Sequence, residues 1–174
     1  MPDISKHESI LEGLINGTYH TLGLSIGSHK VVTPGEKIAK RDTHGTPKLL
    51  APPGFPQGVY AIISIDIDAP FITWNVLSPA AHWIQTGLKS AQGSQELTSD
   101  EPAIASWVGA GPPPGAAPHR YAFFLYLQKP DSIIPPNLRE GHFGLMQRMR
   151  FDVDAMARQL GLGEIVAVNY FVSN

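Results

Sequence analysis

The chain contains no cysteine. That excludes disulfides, thiolate metal ligands and a cysteine nucleophile. Charge is also sparse: Asp, Glu, Lys and Arg make up 16% of the 174 residues and sum to a net −2. Such a balance exerts no general pull on nucleic acid or on an anionic membrane, so no nucleic-acid partner is expected. No apolar run is long enough to span a bilayer, and Met1-Pro-Asp-Ile-Ser-Lys-His7 lacks the apolar core of a signal peptide. The expectation is a soluble, cytoplasmic protein with no transmembrane segment. Nucleotide-binding glycine patterns are missing: Gly109-Ala-Gly111 is followed by three prolines, which cannot open a helix around a pyrophosphate. No G-x-S-x-G elbow marks a serine as a nucleophile. No cofactor is expected.

Apolar residues make up 43% of the chain, and 17 glycines and 16 prolines are spread along it. That composition suits one globular domain, residues 1–174, mainly β and built from many short strands joined by turns. Ser5-Lys-His-Glu8 fits a capping box ahead of Ile10, Leu11, Leu14 and Ile15, which share one helical face ended by Asn16-Gly17. Strands are expected at Thr21–Ile26, Lys48–Leu50, Tyr60–Asp68, Ala81–Thr86, His119–Leu127 and Glu164–Val172. Val31–Gly35 reads as a brief extended piece running into a turn. Lys37–Lys48 is polar, with Thr46-Pro47 opening the next extended piece, and the Ser/Gln/Gly-rich Lys89–Ser99 reads as a surface loop. His119–Leu127, apolar and aromatic on both faces, should be central. Leu138–Met149 suggests a helical turn or two, and Asp152 caps a C-terminal helix carrying Val153, Met156 and Leu160.

Chemistry concentrates in Tyr60-Ala-Ile-Ile-Ser-Ile-Asp-Ile-Asp-Ala-Pro70. If the strand runs through Asp68, Asp66 and Asp68 share a face about 6.5–7 Å apart, at an end freed by Pro70. The structural alternative is an Asx-type turn into Ala69-Pro70. His82 and His119 also lie on strands beside proline-rich loops, where a lone histidine is more often structural than a ligand. Together, two carboxylates, two imidazoles and Tyr121 could bind a metal, act as an acid/base cluster, or hold an anion through protonated histidine and loop amides. No H-x-H, H-x-x-x-H or H-E-x-x-H spacing supports the metal, so none is expected. Arg120 faces away from His119 on its strand and should pair with a carboxylate that fixes the loop.

Asp66-Ile-Asp-Ala-Pro70 resembles the D-P-D-x-P motif of the phosphatidylethanolamine-binding protein (PEBP) family, and Gly115-Ala-Ala-Pro-His-Arg-Tyr121 resembles its G-x-x-x-H-R-Y motif. The Thr33-Pro34 turn, Ala81-His82-Trp83 and Val108-Gly109-Ala-Gly-Pro-Pro113 follow in the family's order, so the resemblance runs from about Leu24 to Tyr170. It implies a large antiparallel Greek-key sheet packed on a smaller one, with a C-terminal helix, and an anion-binding pocket at one end. Carried over by motif, the pocket wall is Asp66, Asp68, Pro70, His82, Gly109, Pro112, His119 and Tyr121, with Tyr170 at the mouth. Two departures stand out: Ile67 replaces the motif's proline, and Phe71–Pro79 lacks the charged Arg-Glu-Trp pattern. Phe71, Ile72, Trp74, Val76 and Leu77 there imply an apolar rim, suited to a greasy ligand with an acidic end.

The resemblance implies three functional readings. The first is binding of small anionic ligands, whether phosphate, carboxylate or anhydride. The second is an enzyme like those filamentous-fungal members implicated in coupling or cyclising maleic-anhydride-type polyketide intermediates (maleidrides), with Asp66, His82 and His119 catalytic. The third is inhibition of a serine carboxypeptidase or kinase. The apolar Phe71–Leu77 stretch is in addition a candidate surface for a protein partner or a homodimer.

Overall fold

The computed structural model describes residues 4–30, 32–139 and 143–174. Its elements, in chain order, are α1 (Ser5–Ile15), β1 (His20–Thr21), β2 (Gly23–Ser25), β3 (Glu36–Lys37), a 3-10 turn at Lys40–Thr43, β4 (Lys48–Leu50), β5 (Tyr60–Asp66) and β6 (Ala80–Ser90). They continue with β7 (Glu96–Thr98), β8 (His119–Gln128), α2 (Pro136–Arg139), α3 (Leu145–Arg148), α4 (Val153–Gln159) and β9 (Leu162–Ser173). Spatially the strands run β1-β9-β8-β5-β6-β7-β4-β2, with β3 also on β9. Within this order β8-β5-β6-β7 is a Greek key: three consecutive strands, then a fourth returning beside the first, every pairing antiparallel. β6 belongs to two sheets. Ala80 to Leu88 pair with β5 in the large one, and Lys89 and Ser90 pair with β7 in the small one. The large sheet is mixed rather than wholly antiparallel, because β1 and β3 run parallel to β9 at its edge.

All seven residues of β5 are buried, since both faces of the large sheet are covered. On one face Ile63, Ile65, Phe124 and Val168 pack with Ile10, Leu11 and Leu14 of α1 and Val153 and Met156 of α4. On the other, Ile62, Tyr121, Phe123, Leu125 and Phe171 meet Leu24, Leu49 and Leu97 of the small sheet. Each such side chain stabilises the fold by roughly 1.5–3 kcal/mol relative to exposure, which makes β5 and β8 the centre of the core.

Several expectations needed correction. Ser5 does not cap α1: Ile4 holds that position without a side-chain bond, and Glu8 reaches Arg120 instead of closing a capping box. Ile15 stands exposed at 66% rather than on the packed face. The strand expected at Thr21–Ile26 breaks at Leu22, where the chain leaves β9 to pair with β4 in the small sheet. Lys89–Ser99 is not all loop, for β7 and the end of β6 lie in it, and β3 forms at the head of the polar run, sharing Lys37 with it. These strands are two or three residues long, too short for an apolar alternation to show. Leu138–Met149 holds the end of α2 and all of α3, with residues 140–142 outside the described ones, as is Val31. The C-terminal helix forms as read, with Asp152 accepting from the Ala155 amide at 2.8 Å.

Candidate functional site

At the end of β5 the two acids separate. Asp66 accepts the Asp68 amide on Oδ1 at 2.8 Å, an Asx turn that ends the strand. Its Oδ2 lies 2.8 Å from His119 Nδ1. Asp68 faces Arg120, accepting from its amide, its Nε and its Nη2 at 2.8, 2.9 and 2.7 Å. The Nη2 also donates to Glu8 of α1 at 2.9 Å. Because consecutive residues of β8 point to opposite faces, His119 and Arg120 draw the two carboxylates apart. Asp66 and Asp68 therefore do not share a face, and the strand geometry that would have placed them together stops at Asp66. Arg120 pairs with a carboxylate, as its position on the strand implied.

Asp66 and His119 open onto a cavity of about 270 Å³, whose wall also includes Ala69, Pro70, Leu77, Ala80, Ala81, His82, Val108, Gly109, Gly111, Pro113, Leu145, Arg148 and Met149. That is close to the lower end of the roughly 300–1,000 Å³ usual for small-molecule sites. Of the wall expected from sequence, Asp66, Pro70, His82, Gly109 and His119 lie on it. The other four do not. Asp68 is held behind it by Arg120, and Pro112 is buried, with Gly111 and Pro113 forming the surface in its place. Tyr121 is fully buried beneath the floor, edge-on to His82 at 5.0 Å between ring centroids and stacked on His119 at 6.5 Å. Tyr170 sits opposite Ala122, and its hydroxyl packs over Gly35, where a Cβ would lie 2.9 Å away.

Of the apolar stretch after Pro70, Leu77 lines the cavity, while Phe71, Ile72 and Trp74 stand exposed in the loop between. Leu145, Arg148 and Met149 were not foreseen. They come from α3, whose single turn carries too little periodicity to say which side faces inward.

The two imidazoles differ in character. His82 Nδ1 lies 2.6 Å from the Val108 carbonyl, which only accepts, so Nδ1 carries the proton and Nε2 is left with a lone pair. Burial lowers its pKa, and the charges of Arg148 and His119 push the same way against the Val108 bond and Asp66. For His119, burial opposes charging, but the hydrogen bond and charge of Asp66, with the charge of Asp68 and the Pro70 carbonyl behind them, outweigh it and raise the pKa. Its Nε2 is buried and makes no hydrogen bond of good geometry. Burial first and Asp66 second raise the Tyr121 pKa, so that hydroxyl stays protonated while accepting from the Gly111 amide at 3.3 Å. At a pH between the lowered pKa of His82 and the raised pKa of His119, the cavity thus presents a neutral and a cationic imidazole. Among the described residues no group of three His, Asp or Glu is placed to hold a metal ion, and no helix is long and apolar enough to cross a membrane.

Both the sequence and the fold have relatives among known proteins. The family model for phosphatidylethanolamine-binding protein matches residues 28–171. A protein of the fungus Talaromyces stipitatus, named phomoidride biosynthesis cluster protein N, is 29% identical over 119 residues, which are 66% of this chain and 58% of that protein. The chain thus spans a little under three-fifths of that relative's length. Among solved structures, the carboxypeptidase Y inhibitor complexed with its cognate proteinase superposes with a TM-score of 0.69 at 23% identity, over 98% of this chain and 92% of that one. The phosphatidylethanolamine-binding protein of Plasmodium vivax gives 0.68 at 21%, over 94% and 96%. At these identities the structural likeness establishes the fold alone.

Proposed function

The chain belongs to the phosphatidylethanolamine-binding protein family, and from that premise we propose that it binds a small anionic ligand in the Asp66–His119 cavity. Phosphate, carboxylate and anhydride heads share the needed chemistry. The observation that carries this reading is the disposition of charge. Two free carboxylates would repel an anion, yet Asp66 is matched by His119 and Asp68 by Arg120. The imidazolium of His119, whose Nε2 makes no hydrogen bond of good geometry within the protein, is left to meet the ligand. Ala69, Leu77, Val108, Leu145 and Met149 make the rest of the wall largely apolar, which suits an alkyl substituent on the head.

A second reading, catalysis, is favoured by the opposite protonation of the two rings. His82 Nε2 could take a proton from a carbon beside a carbonyl while the His119 N–H meets the charge forming on the oxygen. The carbanion would then add to the carbon–carbon double bond of a second anhydride, opening its π bond, and the enolate so formed would take the proton back from His82. The fungal relative's assignment to a phomoidride biosynthesis cluster supports this maleidride-type chemistry. Inhibition of a peptidase rests on fold likeness alone, and no feature of the cavity bears on it.

The test is incubation with alkyl maleic anhydrides or the matching diacids, followed by mass spectrometry, with His119→Ala as control. A coupled or isomerised product that disappears in the variant supports the enzyme. Unchanged substrate with a ligand-induced rise in melting temperature supports binding alone. Absence of both in the wild-type protein sinks the cavity assignment.

A further inference from the structure

Four ionisable side chains line the cavity: Asp66, His82, His119 and Arg148. The Asp66–His119 pair is neutral overall when the imidazole is protonated, and His82 adds no charge. That leaves Arg148. Its guanidinium is buried and donates to the carbonyls of Phe143, Ala81, His82 and Ser106, at 3.3, 3.2, 3.2 and 2.9 Å. Carbonyl oxygens satisfy N–H groups without cancelling the charge, and four of the five N–H donors are used this way. Among the described residues no carboxylate pairs with it. Arg120 shows the contrast: the bonds and charge of Asp68 raise its pKa, whereas Arg148 is shifted downward by burial alone.

Buried charges in proteins are ordinarily paired. We propose that Arg148 supplies the net positive charge that makes this cavity selective for anions, a role that rests on the ligand-binding reading above. It acts mainly as a fixed charge, since at most one Nη2 hydrogen remains for a direct bond. It is also a positioning residue. By holding the carbonyls of Ala81, His82 and Ser106, it ties α3 to the strand that carries His82 and to the segment whose Val108 carbonyl orients that ring.

Two probes separate charge from shape: maleate, a dianion, and maleimide, a neutral ring of similar size. With no cysteine in the chain, no thiol consumes the maleimide. Calorimetric titration at constant ionic strength should show wild-type protein preferring maleate. Arg148→Met should cut maleate affinity about tenfold or more, the scale of a unit charge acting over a short, partly shielded distance, while maleimide affinity changes little. Arg148→Lys should restore part of the preference. A folded Arg148→Met protein that binds maleate within about twofold of wild type overturns the proposal.

Should Arg148→Met fail to fold, Arg148→Gln decides, because it removes the charge while keeping an amide donor for the carbonyls that Arg148 holds. Maleate affinity should again fall about tenfold with maleimide affinity little changed, and maleate binding within about twofold of wild type overturns the proposal. Wild-type protein that binds both probes equally refutes anion selectivity but leaves a binding cavity. Binding of neither probe refutes the ligand-binding reading itself.

Discussion

At His119 the folded protein holds a proton that the unfolded chain would release more readily, because Asp66 accepts from Nδ1 and outweighs the cost of burial. The contribution is complete below the unfolded histidine value of about 6.5 and is lost as pH rises through the higher folded pKa. His82 carries the opposite linkage. Its lowered pKa gives stability that is present above about 6.5 and is lost as pH falls through the folded value. Nuclear magnetic resonance titration should therefore find one ring titrating above the ordinary range and one below it, and Asp66→Asn should bring the upper one down. Two rings titrating together near 6.5 would contradict the geometry. A second residue-scale prediction concerns Asp68, which is 1% exposed. Arg120→Met removes both guanidinium bonds and the paired charge, leaving Asp68 only the backbone amide of residue 120, and should cost about 3–5 kcal/mol in denaturant unfolding, the usual penalty for breaking a buried ion pair. The Asp68→Asn/Arg120→Met double variant should recover part of that loss.

At the scale of elements, caps and close approaches set the costs. Asp152→Ala removes the one side-chain cap on α4 and should lower stability by about 1 kcal/mol in chemical denaturation. Gly109 passes so near the 3-10 turn that a Cβ would lie 2.8 Å from the Thr43 carbonyl oxygen. Gly109→Ala must displace the loop that supplies Val108 and Gly111 to the cavity. It should cost about 1–3 kcal/mol and weaken ligand-induced stabilisation in a melting series. Elements long enough to display a period could be read from sequence: α1, β5, β8, α4 and β9. What escaped was short or tertiary in origin. β3 and β7 are too brief to alternate, and the break at Leu22 is imposed by the pairing of two sheets. Of the residues on the cavity wall, Asp66, His82 and His119 were marked by their places at strand ends or beside proline-rich loops, whereas Pro70 and Gly109 came only from the family motifs. Asp68 was misread because an Asx bond ends the strand two residues early. Arg148 could not be found at all, since its role depends on carbonyls some forty to seventy positions away in sequence, at Ala81, His82 and Ser106.

For the whole molecule, stability should be unevenly distributed. β5 and β8 are paired on both edges and buried on both faces, so their central amides should exchange with solvent only through global unfolding. β7 and α3, short and peripheral, should exchange orders of magnitude faster, as hydrogen exchange followed by mass spectrometry would show. Rapid exchange in the middle of β8 would refute the two-layer arrangement.

The sharing of β6 between the sheets also fixes where the chain can change length. An added or deleted residue between Ala80 and Leu88 would turn the rest of that strand over, exchanging inward and outward side chains in both sheets at once. The link at residues 91–95 joins only β6 to β7 and holds the solvent-exposed Ala91-Gln-Gly-Ser94. An inserted epitope or spacer there would be confined to the rim of the small sheet. Lineages of this fold should accordingly gain and lose residues at that link while the count within β6 stays constant.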